Sequence, residues 1–257
     1  MALFNVHFSS AVLGMQVGVN VLLPENLPAG KPLATLYLLH GLSDDHTTWL
    51  RRTSLERYVG TMPLAVVMPN GHRSFYTDMP FEGNYFTFMA EELPRRMRAY
   101  FPLSAERRDN FVAGLSMGGY GAFKLALQRP QQYAAAASFS GALDVVRRVG
   151  VAFPSILERV FDGAEKITEE PHNLLKAVAR IGADERQRSG CPLLYQTCGT
   201  EDGLYADNIT FRDAALAAGL PLTYSDGPGT HEWGYWDSCI RETLRWLPLG
   251  EREEGRR

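Results

Sequence analysis

Near-continuous apolar runs at 33–39, 64–68, 111–115, 134–139 and 193–197 set the frame of this chain. Runs of that length predict strands buried on both faces, as in a parallel sheet covered by helices. Residues 15–23 alternate only in part and predict an early edge strand, and 220–224 is a weaker candidate. Between the runs the apolar spacing turns helical. A helix is expected over 85–100, kinked by Pro94, and another over 118–128, stopping before Pro130. An alanine-rich helix over 206–218 ends at Gly219, and the last covers 233–246. Strands alternating with helices imply right-handed βαβ units and a mostly parallel sheet, an α/β fold. The stretch 142–190 is too long for a simple crossover and has helical pieces at 155–161 and 171–181. It reads as a cap inserted over one end of the sheet; an ordinary long helical connection is the alternative. Residues 1–249 are expected to form a single domain, followed by a charged, frayed tail over 250–257.

Composition narrows the function classes. At 257 residues, with 45% hydrophobic and 21% charged residues, the chain can bury a large core without metals or disulfides. The net charge of -3, with no basic stripe, speaks against nucleic-acid binding. The three cysteines, Cys191, Cys198 and Cys239, are too few and odd in number for a disulfide framework and suit a reducing compartment. The N-terminus lacks the charged and apolar regions of a signal peptide, and no apolar run is long enough to cross a bilayer, so a cytoplasmic protein without membrane partner is expected.

The chemistry centres on Gly114-Leu115-Ser116-Met117-Gly118. An apolar strand leads in and a helix leads out. A sharp strand-to-helix turn lifts the Ser116 hydroxyl above the sheet at a helix N-terminus, and only small residues fit two positions either side. A serine needs a base to become a nucleophile. Of the six histidines, His231 lies in the loop after the last predicted strand, where such a fold places its base. His7 is near the N-terminus, and His72 and His172 lie in polar loops and read as surface residues. The orienting acid should follow the penultimate strand, where Glu201 and Asp202 are neighbours. Position favours Asp202, with Asp144 the runner-up and Glu201 read as a solvated loop charge. A histidine base predicts a rate that falls in acid as the imidazole is protonated.

His40-Gly41-Leu42 follows the buried run at 33–39, and a loop there supplies an oxyanion donor from a backbone N–H. Leu42 is assigned that role, with Met117 as the second donor. His40 is expected to brace the loop. The stretch from His40 to His46 can also be read as metal ligands, but no downstream histidine set completes a site. No metal is therefore expected. Trp49, Phe75, Met79, Phe81 and Trp233 are candidate walls of a substrate pocket; plain core is the alternative for each.

Together these pieces resemble the tributyrin esterase group of the esterase D and S-formylglutathione hydrolase family. The matching stretches are His40-Gly41-Leu42, Tyr85 through Glu91-Glu92-Leu93-Pro94, Gly114 through Ala122, Cys198-Gly199-Thr200-Glu201-Asp202 and His231-Glu232-Trp233-Gly234-Tyr235-Trp236-Asp237. The resemblance implies an α/β-hydrolase fold, hydrolysis of short-chain acyl esters, acetyl and feruloyl among them, and the triad Ser116, His231 and Asp202. It also implies no cofactor, a small-molecule ester as partner, and a homo-oligomer, for which no local pattern speaks. S-formylglutathione hydrolases commonly carry histidine before the nucleophile, where this chain has Leu115, which weakens the thioester reading. An acyltransferase would use the same three residues, whereas a non-catalytic scaffold usually loses one of them.

Overall fold

The computed structural model describes residues 1–26, 30–148 and 158–249. The helical piece expected over 155–161 lies partly outside the described residues, and the tail over 250–257 lies wholly outside them. An eight-stranded sheet forms the centre, in the order β1-β2-β4-β3-β7-β8-β9-β10. Its strands are β1 (Ala2–Ser10), β2 (Met15–Leu23), β3 (Ala34–Leu39), β4 (Leu64–Pro69), β7 (Asn110–Leu115), β8 (Ala135–Phe139), β9 (Leu193–Gly199) and β10 (Leu222–Gly227). A small hairpin, β5 (Asp78–Met79) with β6 (Gly83–Asn84), stands apart. From β4 to β10 every pairing in the main sheet is parallel, while β1–β2 and β2–β4 are antiparallel.

The apolar runs became the interior strands because both faces are covered. β3, β4, β7 and β8 are buried along their whole length. One face packs on the helix Met117–Gln128 through Phe123 and Leu127, the other on Trp49, Ile240 and Leu244. The expected edge strand at 15–23 is not at the edge: β1 pairs along it from Ala2↔Leu23 to Ser10↔Met15 and covers it. β1 is largely exposed, which is why no strong apolar signal marks it.

The expected kink at Pro94 takes another form. A short α-helix, Tyr85–Thr87, passes into a π-helical turn, Phe88–Glu92, and then into the helix Leu93–Tyr100. The wider turn places Pro94 in the first turn of the following helix, where its missing N–H costs nothing.

In the stretch 142–190, the helix Leu174–Ala183 buries Leu174, Ala177, Val178 and Ile181 on the flank of the sheet, against the helices Met117–Gln128 and Tyr205–Ala217. Phe161 packs its ring on Phe75 and Tyr120. Among the described residues no helix is long and apolar enough to cross a membrane.

Candidate active site

Ser116 stands between the end of β7 and the helix Met117–Gln128 with φ 52° and ψ −116°, a left-handed conformation that a serine adopts only under constraint. The constraint is visible in the glycines. A Cβ on Gly114 would come within 2.4 Å of the Gly118 carbonyl, and one on Gly118 within 2.5 Å of the Leu39 carbonyl oxygen. Backbone therefore packs on backbone around the turn, and Ser116 N–H donates to the Phe139 carbonyl at 2.9 Å to hold it.

The loops after β9 and β10 bring the other two side chains over. Ser116 Oγ lies 3.0 Å from His231 Nε2, and His231 Nδ1 lies 2.8 Å from Asp202 Oδ2. An ionised carboxylate only accepts, so Nδ1–H donates to Asp202 and Nε2 offers its lone pair to the serine. The Asp202 side chain is fully buried. Burial by itself would raise its pKa. The hydrogen bond and charge of His231, the Leu204 N–H at 2.8 Å and the Ser140 hydroxyl outweigh that and hold the carboxyl below its ordinary value. Asp144 accepts the Arg147 N–H at its own helix start and does not reach the imidazole.

Two supports could not be read from sequence. Trp236 sets its ring edge-on to His231 at 4.8 Å, and its indole N–H donates to Ser140 Oγ at 3.2 Å. Glu201 is exposed but not merely solvated: its Oε2 accepts the Gly229 N–H at 2.6 Å, and its own N–H donates to the Gly229 carbonyl at 3.1 Å. The loop that carries Asp202 is thus tied to the loop that carries His231. The two backbones cross so closely that a Cβ on Gly199 would come within 2.1 Å of the Gly229 carbonyl oxygen.

Leu42 and Met117 face the same cavity as Ser116. Met117 is the first residue of its helix, so its N–H has no intrahelical acceptor, and among the described residues Leu42 N–H donates to no other group. Two such donors beside a serine can hold a developing oxyanion. His40 is buried beneath them. Its Nδ1–H donates to the Gly41 carbonyl at 2.7 Å and its Nε2 accepts the Gly71 N–H at 2.8 Å. Burial pushes its pKa down to about 4. His46 packs against Gly18 instead, so the two histidines of this stretch do not converge. His172 is half-buried, against the surface position expected for it, and packs on Phe161.

The cavity measures about 760 Å³. Phe75 and Trp233 are on its wall, with Leu115, Ala142, Val145 and Trp236 beside them. Trp49, Met79 and Phe81 are not. Trp49 is buried behind Trp233, edge-on at 5.2 Å, with its indole N–H on the Leu39 carbonyl. Met79 is spent in the core, and Phe81 sits 96% exposed between β5 and β6.

A serine on a strained turn at the carboxyl end of a mostly parallel sheet, hydrogen-bonded to a histidine, is the arrangement of the α/β-hydrolases of the serine type. The family model described as "Putative esterase" matches residues 10–247, and the chain belongs to this esterase family. It is a carboxylic ester hydrolase. It is similar to an acetyl esterase of Caldicellulosiruptor saccharolyticus, 26% identical over 96% of this chain and 98% of the relative. Among solved structures, the fluorophosphonate-binding serine hydrolase FphF of Staphylococcus aureus superposes with a TM-score of 0.89 at 34% identity, covering 97% of this chain and 99% of that one. The S-formylglutathione hydrolase FrmB of Staphylococcus aureus follows with a TM-score of 0.84 at 35% identity, over the same shares of the two chains.

Proposed function

We propose that this esterase hydrolyses short-chain acyl esters, acetyl esters foremost, through an acyl-enzyme on Ser116. The hydrogen-bonded chain Ser116–His231–Asp202, at 3.0 and 2.8 Å, carries the reading. His231 Nε2 takes the hydroxyl proton as Ser116 Oγ attacks the ester carbonyl carbon. Asp202, held ionised, orients the imidazole and stabilises the imidazolium. The Leu42 and Met117 N–H groups receive the oxyanion, and one such donor is typically worth about 10²–10³ in rate. Collapse breaks the bond to the alcohol oxygen, which leaves with the proton from Nε2. Water then repeats the sequence on the acyl-enzyme and frees the acid. Ala142, Val145 and Arg148 on the cavity wall support a role for the start of the 142–190 stretch as a cap over the site. Three free, buried cysteines suit a reducing, cytoplasmic setting.

The relative named S-formylglutathione hydrolase keeps a thioester reading open. The test is a panel of p-nitrophenyl esters from acetate to laurate, with S-formylglutathione and methyl ferulate, against wild type and Ser116→Ala. We expect preference for short acyl chains and a loss of about 10⁴ or more in kcat for the variant. A folded wild type that cleaves nothing, or an alanine variant that retains activity, overturns the assignment. Product analysis with an added acceptor alcohol separates hydrolysis from acyl transfer.

A further inference from the structure

Every carboxylate on the cavity wall is engaged. Asp202 serves His231, Glu232 accepts the Gly234 and Tyr235 N–H groups at 2.6 and 2.8 Å, and Asp44 accepts the Gly41 N–H at 3.2 Å. One of the three arginines is engaged as well: Arg148 is paired with the buried Asp207 and donates to the Gly203 carbonyl at 2.8 Å. Arg52 and Arg73 differ. Both are exposed at the cavity, and among the described residues neither guanidinium has a hydrogen bond or a carboxylate within 4.0 Å. Asp44 feels the charge of Arg52 without forming a pair with it. Its carboxylate stays on the Gly41 turn.

The backbone segment that carries Arg73 is also held at some cost. The segment Gly71–Tyr76 has three non-glycine residues in the left-handed region, His72 at φ 46°, Phe75 at φ 48° and Tyr76 at φ 52°. Each such residue costs on the order of 1 kcal/mol, and strain of this kind collects at functional sites. Buried bonds over-determine it: Gly71 N–H to His40 Nε2 at 2.8 Å, Ser74 Oγ to the Gly71 carbonyl at 2.7 Å, and the Tyr76 hydroxyl to the His40 carbonyl at 2.9 Å. The same anchors hold the oxyanion loop and place Phe75 on the cavity wall. Arg52 comes from a different segment, at the end of the helix Thr48–Arg52.

We propose that Arg52 and Arg73 form an anion-binding subsite at the mouth of the Ser116 cavity, and that the preferred substrates are esters bearing a carboxylate. The inference rests on the esterase reading and adds the charge of its substrate. A guanidinium presents a planar fork of donors that matches a carboxylate, and two forks on one cavity wall without hydrogen-bond partners are donors that a neutral ester does not use.

Two matched pairs test this. Monoethyl succinate against ethyl butyrate puts the anion on the acyl part; 4-acetoxybenzoate against phenyl acetate puts it on the leaving group. We expect wild-type kcat/KM to favour the anionic member of at least one pair, and that pair locates the subsite relative to the scissile bond. The preference should shrink with added salt as screening grows. In the double variant Arg52→Gln/Arg73→Gln the ratio of anionic to neutral kcat/KM should fall about tenfold, in line with the loss of a charge-assisted contact. Arg73→Glu should reverse it. A wild type that cleaves the neutral members but shows no anionic preference in either pair overturns the subsite and leaves the esterase reading standing, as does a ratio that the double variant does not change. A wild type that cleaves neither member overturns the esterase reading and the subsite with it.

Discussion

At Glu201 one carboxylate joins two loops that are about thirty positions apart in the chain, by accepting the Gly229 N–H two residues before His231. The contact is charge-assisted, and Gly229's N–H is the first cause of the lowered Glu201 pKa. It ties down the loop that carries His231, and the expected consequence is positional. Glu201→Ala should lower kcat about tenfold with little change in KM, because misplacing a base by a fraction of an ångström costs rate before it costs binding. Glu201→Gln, whose amide oxygen still accepts, should restore most of that loss. Equal damage from both variants, or a change in KM alone, would show that Glu201 does not position the base. The elbow was legible in the sequence because its constraint is local, with glycines two residues from the serine. The Glu201 clamp was not, because an exposed glutamate beside an aspartate reads the same whether or not a distant glycine crosses it.

Among elements, the turn between β1 and β2 depends on the π-helical turn that carries Glu92. Ser10 Oγ donates to the Glu92 carboxylate at 2.5 Å, and the Ala11 and Val12 N–H groups donate at 3.0 and 3.1 Å. Burial opposes the charge, but these three donors and Arg96 outweigh it and hold the pKa of Glu92 below its ordinary value. Glu92→Ala should lower stability by about 2–3 kcal/mol, since it leaves donors without their acceptor. For a chain of this size that is a fall of roughly 5–10 °C in Tm. Hydrogen exchange should quicken first at residues 10–15; protection there as in wild type would show that the turn does not need Glu92. The helical spacing over 85–100 was readable from its apolar positions, but the π turn was not, because the extra residue per turn answers a tertiary demand to bring Glu92 under a distant hairpin.

For the molecule as a whole, acid is the vulnerable side. Burial pushes the pKa of His40 down to about 4, and burial with the charges of Lys124 and Lys166 pushes that of His172 down to about 3. Both are lowered relative to an ordinary histidine near 6.5. Their contribution to stability is therefore fully present above about 6.5 and is lost as pH falls toward 4 and 3, because the unfolded chain takes up protons that the native state refuses. The two intervals overlap, and His40 alone is worth roughly 3 kcal/mol across its interval. Below about 4 the carboxylates held low, Asp202 and Glu92 among them, add to the loss. Urea titrations between pH 7 and 4.5 should show stability falling, with His40 and His172 each adding up to about one proton to the slope. His172→Gln should remove the share of His172. A flat profile over that interval would show that these imidazoles are not kept neutral by the fold.

The sequence by itself determined the strands of the interior, the elbow at Ser116 and the order Ser116, Asp202, His231. These rest on short-range physics: an unbroken apolar run has to be covered on both faces, and a turn that packs backbone on backbone admits only glycine. The tertiary structure alone decided what depends on which surfaces meet. It put β1 outside β2, turned Trp49 and Met79 into core and left Phe81 in solvent, although all three are as apolar as Phe75 and Trp233, which reached the cavity. It also set two arginines from unrelated segments on one cavity wall, with no hydrogen-bond partner for either guanidinium among the described residues. Hydrophobicity specifies that a side chain leaves water, and a charge that it keeps a polar environment. Neither specifies the neighbour, which is chosen only when elements far apart in the chain pack together.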